Sequence, residues 1–418
     1  MKARITANNI GGHINAPSSK SYAQRYILYS AFSGKEISLN GLSFSDDELI
    51  AIKVAEACKA TVKYDKKNIH IIPEFVCPEK LYFGESGTSY RLSLGLLSGK
   101  KCKTSITGEQ SLASRPASAL IKALGELDVK FSQNSDNFYD IDARNAKNMQ
   151  IEIDGSASSQ FISAMLFYYS FYENSKFLFK NAVSKKYTDI TIKCLQDFGI
   201  SISEYNESYS VSFNGFKPHT IQVEGDYSSA SYFIVLGILK GRIRIGNLAS
   251  NSIQPDMMLI KLLNANSGIN VYNDYIEVSP VSEINKITLD ASISPDLAPI
   301  ISVIGIFSTA GVDIYNYGRL KIKESDRLSG IIKMCRAFGA SISVNKEFIS
   351  IHKGIIKKPR LIDFDDHRMI MSSIIAALVA DSPSEIANIE KINKSYPEFL
   401  NDLQRVGCNV LLLDSTSL

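Results

Sequence analysis

Hydrophobic and polar positions along this chain fall into two recurring textures. The first is a short β-rich run that breaks at a turn of small or polar residues and continues as a long apolar, helix-like run. It occurs at His13–Lys20 before Ala23–Phe32, at Leu81–Gly87 before Tyr90–Leu97, and at Ile151–Ser159 before Phe161–Tyr169. It returns at Ile221–Ser229 before Ala230–Leu239, at Ile287–Pro295 before Leu297–Phe307, and at Leu361–Asp366 before Met369–Val379. The spacing is roughly 70 residues, longer than familiar solenoid units of about 20–50. The second texture is strict alternation around a polar turn, which marks a half-buried hairpin. Examples are Ala60–Tyr64 into Ile69–Ile72, Ile200–Ser203 into Tyr209–Phe213, Ile269–Tyr272 into Tyr275–Val278, and Ser341–Val344 into Ile349–Ile351. Helix-like stretches such as Ile190–Phe198 and Ile331–Phe338 precede several of them.

One unit therefore reads β-α-β-α-β-β, six times over, and the fold class is α/β. Any α/β chain yields strand–turn–helix segments, but regular spacing and two co-occurring signatures favour a true repeat. Six units suggest two domains of three, with a boundary near Glu224 that no Pro/Gly/Ser-rich linker marks.

Composition narrows the class. At 418 residues the chain exceeds one comfortable core, and 45% hydrophobic residues disfavour general disorder. With 46 Lys+Arg against 43 Asp+Glu, the net charge of +3 argues against a dedicated nucleic-acid binder. Cys58, Cys77, Cys102, Cys194, Cys335 and Cys408 are dispersed, with no CxxC and no zinc-type spacing. A disulfide framework belongs to short secreted chains, so reduced cysteines are expected. Met1–Asn9 lacks the apolar core of a signal peptide, and Ala298–Val312 is too short to span a bilayer. A soluble, cytoplasmic protein that engages neither membrane nor nucleic acid is expected.

The polar turns concentrate the candidate chemistry. A turn that opens a helix offers backbone N–H groups and a positive dipole end to anions. The first carries Ser18, Ser19, Lys20 and Ser21 with Arg25 one helical turn onward; the second carries Gly84–Thr88 followed by Arg91; the third carries Ser158, Ser159 and Gln160. A single Ser-rich turn is ordinarily an N-cap, but the repeated coincidence with a cation favours anion binding. Lys outnumbers Arg by more than two to one, yet Arg25, Arg91, Arg115, Arg327 and Arg368 all stand beside such segments. Arg binds carboxylate or phosphate bidentately where Lys cannot.

Two segments add acid/base groups. Lys321–Arg327 packs five charges into seven residues, which either a solvated helix start or a site explains. Asp365-Asp366-His367-Arg368 precedes a very apolar helix, a costly place for charge unless it is paired or functional. His367 alone is more often structural than catalytic, and Asp296, heading another apolar helix, reads by default as an N-cap. No Walker motif and no GxGxxG occur, and five scattered His give no metal site, so neither cofactor nor metal is expected.

Taken together and in order, these residues resemble the enolpyruvyl transferase family. The motifs are Pro17-Ser18-Ser19-Lys20-Ser21 with Arg25, Gly87-Thr88 with Arg91, Arg115-Pro116, and Ser158-Ser159-Gln160. Further along come Lys323-Glu324-Ser325-Asp326-Arg327, Asp366-His367-Arg368-Met369 and Lys394-Ser395-Tyr396-Pro397. The resemblance implies a monomer of two inside-out α/β barrels, three repeats each, with helix N-termini facing an active-site cleft between them. It implies one domain over residues 21–223, binding mainly shikimate 3-phosphate, and one over 1–20 plus 224–418, binding mainly phosphoenolpyruvate.

The implied reaction transfers the enolpyruvyl group of phosphoenolpyruvate to the 5-hydroxyl of shikimate 3-phosphate, releasing phosphate through a tetrahedral intermediate. By position, Lys20, Ser21, Arg25, Ser158, Ser159, Gln160, Ser184, Tyr187, Asp296 and Lys323 would contact the sugar phosphate. Lys20, Gly87, Arg115, Gln160, Arg327, Arg368 and Lys394 would contact phosphoenolpyruvate. Asp296 would take the 5-hydroxyl proton, Glu324 and Lys323 would serve the methylene carbon, and Lys20 and His367 would complete the catalytic set. General acid–base work of this kind needs no metal. Glu85 stands where many members carry Asn, and Arg319 where relatives carry Asn or Glu; both are departures. A UDP-N-acetylglucosamine enolpyruvyl transferase would carry a loop cysteine that Leu112–Pro116 lacks. A silent anion-binding repeat protein would not need Asp296 or Glu324.

Overall fold

The computed structural model describes residues 1–7, 9–216, 219–263 and 268–413. The chain forms two compact units, Ser18–Val223 and Met1–Pro17 with Glu224–Leu418. Local bonds explain where it passes from one to the other. Ala16 N–H donates to the Gly246 carbonyl at 3.0 Å and Asp226 N–H to that of Pro17 at 2.8 Å. The Ser18 hydroxyl instead bonds Ser43 and the Glu48 carboxylate, at 2.7 and 2.5 Å. The passage expected near Lys20 therefore lies between Pro17 and Ser18.

In Ser18–Val223, three four-stranded sheets share one pattern: an edge strand parallel to the second, which pairs antiparallel with the third, as the third does with the fourth. In the sheet whose strands lie in the spatial order 80–82, 103–107, 139–142 and 130–133, Lys80–Tyr82 runs parallel to Lys103–Thr107. Glu152–Asp154 plays the same part beside Ser175–Lys180. In the remaining sheet the parallel edge strand is Thr220–Gln222, from the far end of the unit, beside Ile37–Asn40. The strand that precedes the first polar turn, Gly11–Asn15, pairs in the other unit with Arg242–Gly246. Sequence periodicity assigns each strand to its neighbours along the chain and carries no sign of this exchange.

The helices Lys20–Ser33, Gly87–Gly99 and Ser159–Tyr169 are buried on nearly all faces, so they form the interior of this unit. Two approach to backbone contact: a Cβ on Gly95 would lie 2.0 Å from the Ala164 carbonyl oxygen. Asp46–Ala57 and Lys185–Asp197 bury one face only.

In the other unit, Ile287–Asp290, Val312–Tyr315, Phe348–His352 and Ser341–Val344 form one sheet of the same pattern. Another places Lys2–Ala7 between Glu385–Ala387 and Cys408–Leu413, with Leu361–Ile362 at its parallel edge. The helices Tyr227–Leu239, Ala298–Phe307 and His367–Val379 are buried almost throughout. In both units, each buried helix starts from one of the polar turns.

One expectation needs correction. Cys77 and Cys102 form a disulfide, while Cys58, Cys194, Cys335 and Cys408 are free and buried. The segment before Lys80 runs beside the strand after Cys102, with the Thr104 hydroxyl donating to the Pro78 carbonyl at 2.8 Å and Ser105 N–H to that of Glu79 at 2.8 Å. That pairing sets the two cysteines opposite each other, which their separation along the chain could not reveal. No helix among the described residues is long and apolar enough to cross a membrane.

Candidate active-site residues

In the unit Ser18–Val223, the first polar turn leads into Lys20–Ser33. The Lys20 ammonium pairs with the buried Asp47 carboxylate at 2.9 Å. Arg25, one turn on, is 1% exposed. Its guanidinium donates to Thr191 Oγ1 at 2.7 Å, to the Ser21 carbonyl at 2.7 Å and to the Tyr187 carbonyl at 3.2 Å. All three acceptors are neutral, and burial pulls the group down to about 10. A buried cation surrounded by neutral oxygens is costly by itself and favours an arriving anion. Tyr187 lies in the first turn of Lys185–Asp197, and Ser184 caps that helix in the left-handed conformation, φ 48°.

Gln160 follows Ser158 and Ser159 at the start of Ser159–Tyr169, where Ser158 Oγ accepts from its N–H at 3.2 Å. Its side chain is fixed at both ends: Arg91 Nη1 donates to Oε1 at 2.7 Å, and Nε2 donates to Thr88 Oγ1 at 2.9 Å. Arg91 is itself anchored on the Pro116 carbonyl through Nε and Nη2, at 3.1 and 2.8 Å. Gly87 opens the same helix as Thr88 and Arg91. A Cβ there would come within 2.9 Å of Arg115 Nη1, so glycine lets that guanidinium lie against the helix start. Glu85, one of the departures, accepts from the Ser111 hydroxyl at 3.3 Å.

In the other unit, Asp296, Lys323, Glu324, Arg327 and Arg368 form one charged cluster. Asp296 gives one oxygen to Arg327 Nη1 at 2.7 Å and the other to Arg368 Nη2 at 2.9 Å, with Lys323 Nζ 3.7 Å away. Arg327, 1% exposed at its side chain, also binds Glu324 at 2.6 Å through Nη2 and Asp366 at 2.8 Å through Nε. Arg368 Nη1 donates to the Ser228 hydroxyl.

Asp296 is not the helix cap that its position suggested. The helix Ala298–Phe307 starts from Leu297, and Asp296 sits in a preceding 3-10 turn, Pro295–Leu297. Capping falls to its counterparts, Asp226 for Tyr227–Leu239 and Asp366 for His367–Val379, which accept from Ser229 N–H at 2.7 Å and Arg368 N–H at 2.8 Å. These three aspartates recur at an equal spacing of 70 residues. The released Asp296 faces cations instead.

Burial alone would push the Asp296 carboxyl up, but Arg368, Lys323 and Arg327 hold it well below the usual range. Burial pulls Lys323 down to about 8, with Asp296 opposing and Arg319 and Arg327 assisting. His367 is buried, its Nδ1 3.7 Å from Asp366 Oδ1. Lys394 is buried at the end of the turn Ile389–Lys394. Arg319 Nη1 donates to the Ser292 carbonyl at 3.2 Å.

Several residues around these groups were not assigned a part from sequence. Asp47 neutralises Lys20, Thr191 holds Arg25, Ser228 holds Arg368, and Arg91 with Thr88 fixes Gln160. Of these, Arg91 and Thr88 carried a signal, as members of the Gly87-Thr88 and Arg91 motif at the second polar turn.

Comparison with known proteins identifies the family. Residues 5–403 match the family model for EPSP synthase (3-phosphoshikimate 1-carboxyvinyltransferase). A 3-phosphoshikimate 1-carboxyvinyltransferase of Picrophilus torridus is 49% identical over 414 residues, covering 98% of this chain and 100% of the relative. One from Thermoplasma volcanium is 42% identical over 408 residues, covering 96% and 98%. Among solved structures, an EPSP synthase from Acinetobacter baumannii superposes with a TM-score of 0.81 at 22% identity, covering 98% of this chain and all of that one. The enolpyruvyl transferase NikO from Streptomyces tendae gives 0.76 at 14% identity over 98% of each chain, a likeness of fold alone. The chain belongs to the EPSP synthase family, the 3-phosphoshikimate 1-carboxyvinyltransferases.

Proposed function

We propose that this chain transfers the enolpyruvyl group of phosphoenolpyruvate to the 5-hydroxyl of shikimate 3-phosphate, releasing inorganic phosphate, as a step toward aromatic amino acids. Family membership across residues 5–403 supports the reaction. The observation that carries the chemistry is the Asp296 carboxylate shared between Arg327 and Arg368 beside Lys323 and Glu324. In that resting arrangement three cations suppress the basicity of Asp296. An anionic substrate that engages those cations draws them away and restores the carboxylate's proton affinity where the hydroxyl proton must go.

Two steps follow. In the addition, the 5-oxygen bonds to C2 of phosphoenolpyruvate, the hydroxyl proton passes to Asp296, and a proton is delivered to C3 from Lys323 or Glu324. In the elimination, C3 returns a proton to that pair, the C2–O bond to phosphate breaks, and the proton held by Asp296 passes to the departing phosphate, which restores the carboxylate. Cations fixed before the reaction stabilise the intermediate without reorganising. Lys20, Ser21, Arg25, Ser158, Ser159, Gln160, Ser184 and Tyr187 hold shikimate 3-phosphate in this reading, with Asp296 and Lys323 at its ring. Lys20, Gly87, Arg115, Gln160, Arg327, Arg368 and Lys394 hold phosphoenolpyruvate, and Lys20 and His367 join the catalytic set. On this reading shikimate 3-phosphate is held mainly by Ser18–Val223, and phosphoenolpyruvate is held by residues of both units, with Arg327, Arg368 and Lys394 in the other unit.

Each unit is read as an inside-out α/β barrel, on the strength of three like sheets around helices buried on all sides. The protein acts as a cytoplasmic monomer without cofactor. The test is phosphate release: the two substrates together should give a steady rate and neither alone a comparable one. Silence with authentic substrates overturns the assignment.

A further inference from the structure

Asp256 is a buried acid for which the reaction above has no use. It sits in the 3-10 turn Pro255–Met257, 3% exposed, packed against the helix Tyr227–Leu239. One carboxylate oxygen accepts a hydrogen bond from the Ser294 hydroxyl. Ser294 is fully buried and leads directly into Pro295–Leu297, the turn that carries Asp296. Asp296 is thus held from two sides. Arg327 and Arg368 grip its carboxylate, and Asp256 anchors the backbone from which that side chain projects.

Electrostatics support this placement. Burial and the Asp296 charge push Asp256 up to about 6, while Arg368 opposes them. Asp256 in turn adds to the negative field that keeps Arg368 protonated. A carboxylate in such a place costs several kcal/mol unless its hydrogen bonds and nearby charges compensate.

We propose that Asp256 is a positioning residue for Asp296: through the Ser294 hydroxyl it fixes the Pro295–Leu297 turn so that Asp296 offers one oxygen to each of Arg327 and Arg368. The inference rests on the reading of Asp296 as the acid–base group. A misplacement of about 1 Å at such a group costs on the order of 100-fold in rate.

The test compares Asp256→Ala, Asp256→Asn and Ser294→Ala by steady-state phosphate release, thermal melting and crystal structures. Asp256→Ala and Ser294→Ala should each lower kcat by about 10- to 100-fold while KM for both substrates stays within about twofold. Asp256→Asn keeps an oxygen for Ser294 and should recover most of kcat. Folded Ala variants with wild-type kcat would overturn the proposal, as would Asp256→Asn as impaired as Asp256→Ala. If Asp256→Ala fails to fold, Ser294→Ala decides by the same criterion. If the wild-type protein itself released no phosphate, the reaction assignment would fall, and the variant crystal structures would still decide this one. Asp296 must then leave the 2.9 Å contact with Arg368 seen here; an unmoved Asp296 overturns the proposal.

Discussion

Glu324 and Lys323 are neighbours in sequence but live in different fields. Glu324 is tied to Arg327 at 2.6 Å, and Lys323 lies 3.7 Å from Asp296 with burial drawing it down to about 8. Glu324→Gln keeps an oxygen for Arg327, so binding should hold, but an amide cannot carry the proton. Turnover should fall by about 10²–10⁴-fold with substrate KM little changed. Equal losses in binding and turnover, measured by titration and phosphate release, would mean a structural role. The Lys323 prediction concerns pH. In the free enzyme its ammonium is lost as pH rises through about 8, so kcat/KM should decline above that value. Bound anions favour the charged form and raise its pKa, so the basic limb of kcat should lie at higher pH than that of kcat/KM. Coincident limbs would remove Lys323 from the proton path. At this scale the sequence exposed residue types but not partners. The Lys323–Arg327 run could be read as charged chemistry, yet nothing in it says that Arg327 spans Glu324, Asp296 and Asp366, which come from three separate segments.

At the scale of elements, legibility followed hydrophobic density. Helices buried on all faces, such as Ala298–Phe307, stand out as long apolar runs, and hairpins such as Ser341–Val344 with Phe348–His352 alternate with period two. What stayed hidden depends on contacts between distant segments: the pairing of Thr220–Gln222 with Ile37–Asn40, and the Cys77–Cys102 bridge. That bridge also carries a prediction. It encloses the strand Lys80–Tyr82 and the helix Gly87–Gly99, whose first turns hold Gly87, Thr88 and Arg91. Closing a loop across a separation of 25 residues should stabilise by about 3.5 kcal/mol in the chain-entropy account. Cys102→Ala, or reduction of the wild type, should therefore lower the stability of Ser18–Val223 by about 2–4 kcal/mol. An unfolding midpoint indifferent to reductant would show that the bridge contributes little.

For the whole molecule, the chain's path makes the two units unequal as folding problems. Ser18–Val223 is continuous, and both its ends are tied into it: Ser18 by Ser43 and Glu48, and Val223 by its N–H to the Asn40 carbonyl at 3.0 Å. The other unit needs the first seventeen residues. Lys2–Ala7 lies inside a sheet, between Glu385–Ala387 and Cys408–Leu413, and Gly11–Asn15 completes another beside Arg242–Gly246. Ile5 and Ile14 from these strands are buried in its core. Losing the two removes about 3–6 kcal/mol, at about 1.5–3 kcal/mol for each buried aliphatic side chain. The total stability of a domain is only about 5–15 kcal/mol, and the unpaired strands add to the loss. Residues 18–223 expressed alone should therefore melt cooperatively and, on the substrate assignment proposed above, bind shikimate 3-phosphate in a manner abolished by Arg25→Ala. Residues 224–418 alone should not melt cooperatively, and fusing residues 1–17 after position 418 through a flexible linker should restore the transition. Differential scanning calorimetry of the three proteins decides it: a cooperative transition for 224–418 without the N-terminal strands would show that the remaining core suffices.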